Sequence, residues 1–175
     1  MGKVIEQVDN FYKIIALKEF RKTSGVNFDI LEEEDIPDIS SIDRVMHKSD
    51  AISPGKVGEV ERPWYMHPNQ ADNLMVLHGT RFVEIFKAEY GKIEYFEVNP
   101  YRIIKNGTLL YEGAAMLVWS TGVFHRIKSA KTGSASINFA VRSKGFDINT
   151  NFNIYDLDTD SGKYKIIRKG WKDQF

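Results

Sequence analysis

Residues 62–86 read RPWYMHPNQADNLMVLHGTRFVEIF. In an extended strand alternate side chains share a face, so Tyr65 and His67 point one way and Trp64 and Met66 the other. The PNQA segment then connects to a second strand, and Asp72 stands at the start of it beside His67. A histidine and a carboxylate are thereby brought together next to an apolar run. The amides Asn69 and Gln70 shape the turn between the strands. Gly79, after VLH, marks the next break.

His125 extends the pattern from a distance. It follows Ser120-Thr121-Gly122 at the head of FHRIKS, about fifty residues and several strands further on. In a small antiparallel barrel that separation returns a strand to lie beside the first. Two histidines and one carboxylate then share a face, a donor set that suits iron(II), manganese or zinc with positions left open for a substrate or oxygen.

The flanking sequence supports an all-β chain. From Ile42 onward short β-prone runs are bounded by Gly, Pro, Asn and Asp: IDRVMHK, EVERPWYM, NLMVLHG, RFVEIFKA, KIEYFEV, YRIIK, TLLYEG, AMLVW, FHRIKS, ASINFAVR, FNIYDLD and KYKIIRK. Many short strands without alternating helices predict an antiparallel sandwich or barrel. Asn106-Gly107 is the strongest hairpin signal, while His78-Gly79-Thr80 and Lys131-Thr132-Gly133 read as turns. Ahead of this region, YKIIAL is compatible with either a short amphipathic helix or a strand, and LEEEDIPDISSID reads as a solvated acidic loop. We expect one domain, with an N-terminal arm to about residue 41, a barrel core over 42–145 and a C-terminal extension over 146–175.

Composition narrows the function. The 175 residues contain 42% hydrophobic, 27% charged and 13% aromatic residues, enough to build one substantial core. Lys+Arg and Asp+Glu are both 24, so no net field draws in nucleic acid or an anionic membrane surface. There is no cysteine, which removes disulfides, thiolate ligands and a cysteine nucleophile. The charged N-terminus resembles no secretory signal and no run is long enough to span a membrane, so cytoplasmic residence is the expectation. Phosphate loops, GxSxG and HExxH are absent.

Two motifs resemble those of the cupin family. The run H-P-N-Q-A-D, followed by six residues and then Gly79, resembles the first cupin motif, G-x5-H-x-H-x3,4-E-x6-G. Gly113-AAMLVW-Ser120-Thr121-Gly122-VF-His125 resembles the second, G-x5-P-x-G-x2-H-x3-N. The resemblance spans about residues 58–129. It implies an antiparallel double-stranded β-helix, or jelly-roll barrel, with a short N-terminal arm that is helical or extended. It also implies a divalent ion of iron, manganese, zinc or nickel held by His67, Asp72 and His125, a small-molecule ligand or substrate, and a homodimer.

The departures from the motifs are specific. Counting back from Gly79 puts Asp72 where cupins carry glutamate, with about 1.5 Å less reach. His67 then takes the second histidine position and Tyr65 the first. Ser120 replaces the proline and Ser129 the asparagine of the second motif. In another register His67 is the first histidine, with Asn69 and Asn73 completing the set, but this breaks the spacing to Gly79. Tyr65 is either a phenolate ligand or a catalytic hydroxyl that acts as a general acid.

His78 and His47 read as surface residues, and Trp64, Met66, Trp119 and Phe124 as packing residues. Ser136 and Asn138 alternate with Ile137 and Phe139, facing either a polar cavity or solvent. Three functions follow: a metal-dependent dioxygenase, decarboxylase or isomerase; a metal-free epimerase or isomerase using His67, Asp72 and Tyr65; or a non-catalytic ligand-binding or dimerisation module. The metal-free enzyme requires basic residues facing the cavity, and Arg126 is out of phase with His125.

Overall fold

The computed structural model describes residues 2–36 and 38–173. Fifteen strands follow one another among the described residues. The first six are β1 (Lys3–Val8), β2 (Tyr12–Ala16), β3 (Lys18–Thr23), β4 (Val26–Ile30), β5 (Ser41–His47) and β6 (Ile52–Ser53). After these come β7 (Trp64–Met66), β8 (Gln70–Phe86), β9 (Ile93–Asn99), β10 (Arg102–Lys105) and β11 (Thr108–Glu112). The last four are β12 (Ala115–Trp119), β13 (Phe124–Arg142), β14 (Ile154–Leu157) and β15 (Tyr164–Arg168), with the single-turn helix α1 (Ile148–Asn151) before β14. The all-β antiparallel jelly roll expected from the sequence is what the chain forms. No helix among the described residues is long and apolar enough to cross a membrane.

Strands β8 and β13 organise the rest. They pair antiparallel from Gln70↔Arg142 to Phe86↔Phe124 and bend partway along. On one side of the bend they are flanked by β12 with β2 and β1, and by β5. On the other side β9 and β10 extend from β8, while β6, β7 and β14 extend from β13. Two layers therefore share the same pair of strands. Phe11, Ile14, Leu74, Val83, Ile85, Phe96, Leu117 and Trp119 are buried between them.

The bend is where the structure departs from the turns expected at Gly79 and Gly133. Neither glycine ends a strand. Both have positive φ, 70° and 71°, and the β8–β13 register shifts between Ser129 and Ser134. A left-handed residue inside a strand makes a bulge that turns the sheet while pairing resumes beyond it. NLMVLHG and RFVEIFKA are thus one strand, as are FHRIKS and ASINFAVR. Asn106 and Gly107, both at positive φ, close the β10–β11 hairpin as expected.

The N-terminal YKIIA segment is strand, and β2 pairs with β12 over its whole length. Its side chains are buried on both faces, so the alternation that marks a half-exposed strand is missing. The acidic loop contains a short 3₁₀ turn in which buried Asp35 accepts the Gly2 N–H at 2.7 Å. Pro37 of that loop lies outside the described residues. The β3–β4 hairpin stands away from the barrel, its residues exposed throughout.

Gly79 provides a test of the bend. A Cβ there would meet the Gly133 carbonyl oxygen at 2.0 Å, whereas one on Gly55 meets nothing within 4 Å. Gly79→Ala is expected to lower stability by about 3 kcal/mol and the melting temperature by about 10 °C. Gly55→Ala is expected to leave both within error. Thermal melts of the two variants check the difference.

Candidate functional site

The cavity between the layers has a volume of about 280 Å³ and is lined in part by Tyr65, His67, Asp72, Trp119, His125 and Asn138. His67 follows β7 directly, Asp72 lies near the start of β8 and His125 near the start of β13. The return of β13 beside β7 pairs His125 with Tyr65. The three residues placed together on sequence grounds do come together. His67 Nε2 is 3.2 Å and His125 Nε2 3.9 Å from the same oxygen, Asp72 Oδ2. One ligand atom from each lies within 4.8 Å of the others, and all three side chains are buried.

Surrounding groups fix the orientation of each. His67 Nδ1 donates to the Asn151 carbonyl at 2.5 Å, and His125 Nδ1 donates to the Val123 carbonyl at 3.2 Å. A carbonyl only accepts, so both rings carry a proton on Nδ1 and turn Nε2 toward Asp72. Asp72 Oδ1 accepts from Gln70 Nε2 and Asn138 Nδ2, both at 2.8 Å. Gln70 is itself held through Oε1 by Arg142 Nε at 3.2 Å and Asn151 Nδ2 at 3.3 Å. One carboxylate oxygen is thereby saturated by amides and the other left to the histidines.

This corrects the reading of Gln70 as a turn residue. It opens β8, is 2% exposed and shares a face with Asp72. Asn138 lines the cavity, and Asn69 stays in the connection between β7 and β8, donating to the Gly145 carbonyl. The Asn151 carbonyl comes from α1, where Asp147 caps the helix by accepting the Asn149 N–H at 2.9 Å. Phe152, next in the chain, packs edge-on to His67 with ring centroids 5.2 Å apart.

The electrostatics follow from burial and proximity. Burial would push the Asp72 carboxyl up, but His67, His125 and Asn138 together hold it well below the usual carboxylate range. Burial likewise disfavours charge on His67, yet attraction to Asp72 and its two hydrogen bonds outweigh this and raise its pKa. His125 is pushed down to about 4 by burial and by the positive charge of His67. The cluster thus favours charge on Asp72 and on His67 and disfavours it on His125.

Tyr65 lines the same cavity, its ring 6.0 Å from that of His125 and 6.5 Å from that of His67. Burial raises its pKa, partly offset by a hydrogen bond with Ser53. The Trp119 ring lies 5.1 Å from His125, and its buried Nε1–H has no acceptor among the described residues. Trp64 and Phe124 pack with Phe86 and Tyr155 as expected. Arg126 faces away from the cavity, stacked 4.0 Å over Trp64 and bonded to Glu84.

Besides Gln70, sequence reasoning missed Trp119, read as a packing residue, and two basic cavity residues. His47, read as a surface residue, points inward with Asp43 and Val45, and its Nδ1 is 3.0 Å from Ser129 Oγ. The alternation along β5 was visible, but its apolar phase, Ile42 and Met46, faces outward. Arg81 also lines the cavity, at 1% exposure. The bulge before it shifts the phase of β8, so counting by twos from Asp72 gives the wrong face. His78 is exposed, as expected.

Solved structures of similar shape include QdtA, a sugar 3,4-ketoisomerase from Thermoanaerobacterium thermosaccharolyticum in complex with TDP. It is 15% identical, with a TM-score of 0.56 over 81% of this chain and 85% of that chain. The fold is the cupin jelly roll. The TDP-quinovose 3,4-ketoisomerase WlaRB from Campylobacter jejuni matches with 15% identity and a TM-score of 0.53, over 80% of this chain and 89% of that one. A dTDP-4-dehydrorhamnose 3,5-epimerase from Sulfolobus tokodaii matches with 17% identity and a TM-score of 0.58, over 83% and 77%. No family model matches the chain, and no curated protein matches it by sequence.

The cluster gives stability a pH signature. His125 stays neutral in the folded protein to about pH 4, whereas an unfolded histidine takes up a proton below about 6.5. Stability therefore falls as pH drops through that window. His67 acts in the opposite sense: its contribution is complete below about 6.5 and is lost as pH rises through its raised folded value. In chelator-treated protein, His125→Gln is expected to lose about 2 kcal/mol less than wild type between pH 7.5 and pH 5. Urea unfolding at both pH values measures this, and parallel losses would contradict the assignment.

Proposed function

We propose that the protein is an isomerase or epimerase of a keto sugar, moving a proton on the carbon next to a carbonyl. The observation that carries this reading is the buried cluster in which one oxygen of Asp72 faces His67 Nε2 at 3.2 Å and His125 Nε2 at 3.9 Å, opening on a cavity of about 280 Å³. Both ring nitrogens of His67 are engaged, so the basic atom that remains is His125 Nε2. It lies 3.9 Å from the Asp72 carboxylate, which favours the positive charge His125 gains on taking a proton. Trp119 Nε1–H supplies a donor for the developing oxyanion. Tyr65 acts as the general acid on the substrate oxygen, its raised pKa keeping the hydroxyl protonated. Return of the proton to the former carbonyl carbon, with the Tyr65 phenolate taking the proton of the other enediol hydroxyl, isomerises the sugar; delivery of a solvent proton to the opposite face, with Tyr65 recovering its own proton from the enol, epimerises it. The ketoisomerases and the epimerase of similar fold support this reaction class by analogy of fold.

A second reading rests on the tautomers. With both Nδ1 atoms donating to carbonyls, both Nε2 atoms converge on Asp72 Oδ2, the arrangement that ligating histidines adopt. His67, Asp72 and His125 would hold a divalent ion. Such an ion supplies Lewis-acid polarisation of a carbonyl oxygen. Tyr65 keeps its role as the acid.

Two measurements test and separate these readings. Keto sugars including TDP-4-keto-6-deoxyglucose and fructose 6-phosphate are incubated with the protein in D2O, and deuterium uptake next to the carbonyl is followed by NMR. Uptake with at least one substrate is expected, slowed roughly 10²-fold to 10⁴-fold in His125→Gln and Tyr65→Phe. Absence of uptake from the whole set would contradict the proposal. Elemental analysis of protein purified without chelator or histidine tag decides the second reading: stoichiometric metal, lost in His67→Ala/His125→Ala, is its signature.

We also propose that the protein is a homodimer. Phe20 and Phe28 on the β3–β4 hairpin are 68% and 44% exposed, and a two-stranded hairpin is marginal without a surface to cover it. Among the described residues strand β5 pairs only with β13, and it carries exposed Ile42 and Met46 on its outer face. A second copy supplies a surface for each. Light scattering is expected to give twice the chain mass for wild type and a smaller value for Phe20→Asp/Phe28→Asp.

A further inference from the structure

The cavity contains a cation that no carboxylate among the described residues contacts directly. Arg81 donates from Nε to Ser134 Oγ at 3.0 Å and from Nη2 to the Val45 carbonyl at 3.1 Å. A guanidinium has five N–H donors, so three are left without an acceptor among the described residues. No carboxylate lies within 4.0 Å of it among those residues, in contrast to Arg62 and Arg126, which both bond Glu84. Burying a charge without a counter-ion is costly, and neutral oxygens repay little of that cost. Ser134 is linked to Ser129 at 2.7 Å and Ser129 to His47 at 3.0 Å, so Arg81 and His47 belong to one polar wall.

That wall is distinct from the Asp72 cluster. Asp43, on the same face of β5 as His47, is bonded by Asn138, which also holds Asp72. Asp43 and His47 are four residues apart on β5, roughly 13 Å at the usual strand rise. Arg81 reaches the carbonyl of Val45 between them, so Asp43 stands on the side of the Asp72 cluster and His47 on the other side of Arg81. The cavity's volume of about 280 Å³ is at the small end of the range for ligand sites.

We propose that Arg81 and His47 form an anion-binding subsite for a carboxylate or phosphate carried by a monosaccharide-sized ligand, whose uncharged end reaches the Asp72 cluster. The nature of that uncharged end rests on the keto-sugar reading; the anion rests on Arg81. The guanidinium offers the planar donor fork that fits either anion. A neutral sugar leaves Arg81 unbalanced and binds more weakly.

Calorimetric titration of the full chain with glucose 6-phosphate, glucuronate, glucose and TDP tests the subsite. Saturable binding of glucose 6-phosphate or glucuronate and none of glucose is expected, and whichever of the two binds identifies the anion as phosphate or carboxylate. Arg81→Gln is expected to weaken that binding about tenfold or more, Arg81→Lys less, and Arg44→Gln on the outer face of β5 not at all. If Arg81→Gln does not fold, the wild-type Arg81 Nε–Hε resonance, assigned through Arg81→Lys, is followed instead and is expected to move with the small anion. Equal anion binding in Arg81→Gln, an unmoved resonance, or a response to TDP alone would overturn the proposal. Arg81-dependent anion binding by a protein that shows no solvent exchange contradicts the keto-sugar reading and leaves the subsite standing. Exchange without such binding does the reverse.

Discussion

A carboxylate kept ionised away from water is the constraint on which the rest of this site depends. Asp72 is 3% exposed, and burial alone pushes its carboxyl up. Its charge is kept because two amides saturate Oδ1 and His67, whose own pKa is raised in return, faces Oδ2. Each of those partners needs its own support. Gln70 is held by Arg142 and Asn151, Asn138 accepts the Asn73 N–H, and His67 is anchored by the Asn151 carbonyl. Removing the charge would unbalance His67, and moving His67 would leave a buried charge unpaired.

The fold is arranged so that these partners meet. Asp72 and Asn138 come from one layer, His125 from the other, and Asn151 from the helix that leads into β14. Only a strand pair that runs through both layers brings them to one cavity. The bulges at Gly79 and Gly133 provide that continuity, since they turn β8 and β13 without ending them. The same bend carries Arg81 inward, so the geometry that builds the sheet also sets the charge at the far wall of the cavity.

Much of this was legible in the sequence, for reasons specific to each residue. The spacing from His67 to Asp72 to Gly79, with His125 beyond Gly122, marked the cluster because the residue types are rare and the strand periodicity is strict. The jelly roll followed from many short runs without helices. What was hidden had no residue-type signal. The group that orients His67 is a backbone carbonyl, which any residue supplies. Arg81 was masked by a bulge that inverts the phase of β8, and His47 by a strand whose polar side faces inward. Gly79 and Gly133 signalled a left-handed conformation, but the sequence did not distinguish a turn from a bulge. The Tyr65 position, where cupin motifs carry histidine, holds a hydroxyl in the cavity next to His125.

The charge state of the cluster is read most directly by long-range ¹H–¹⁵N correlation of the histidine rings in metal-free wild-type protein at pH 7. His67 is expected to show two protonated ring nitrogens and His125 one, on Nδ1. A neutral His67, or a His125 carrying its proton on Nε2, would contradict this assignment.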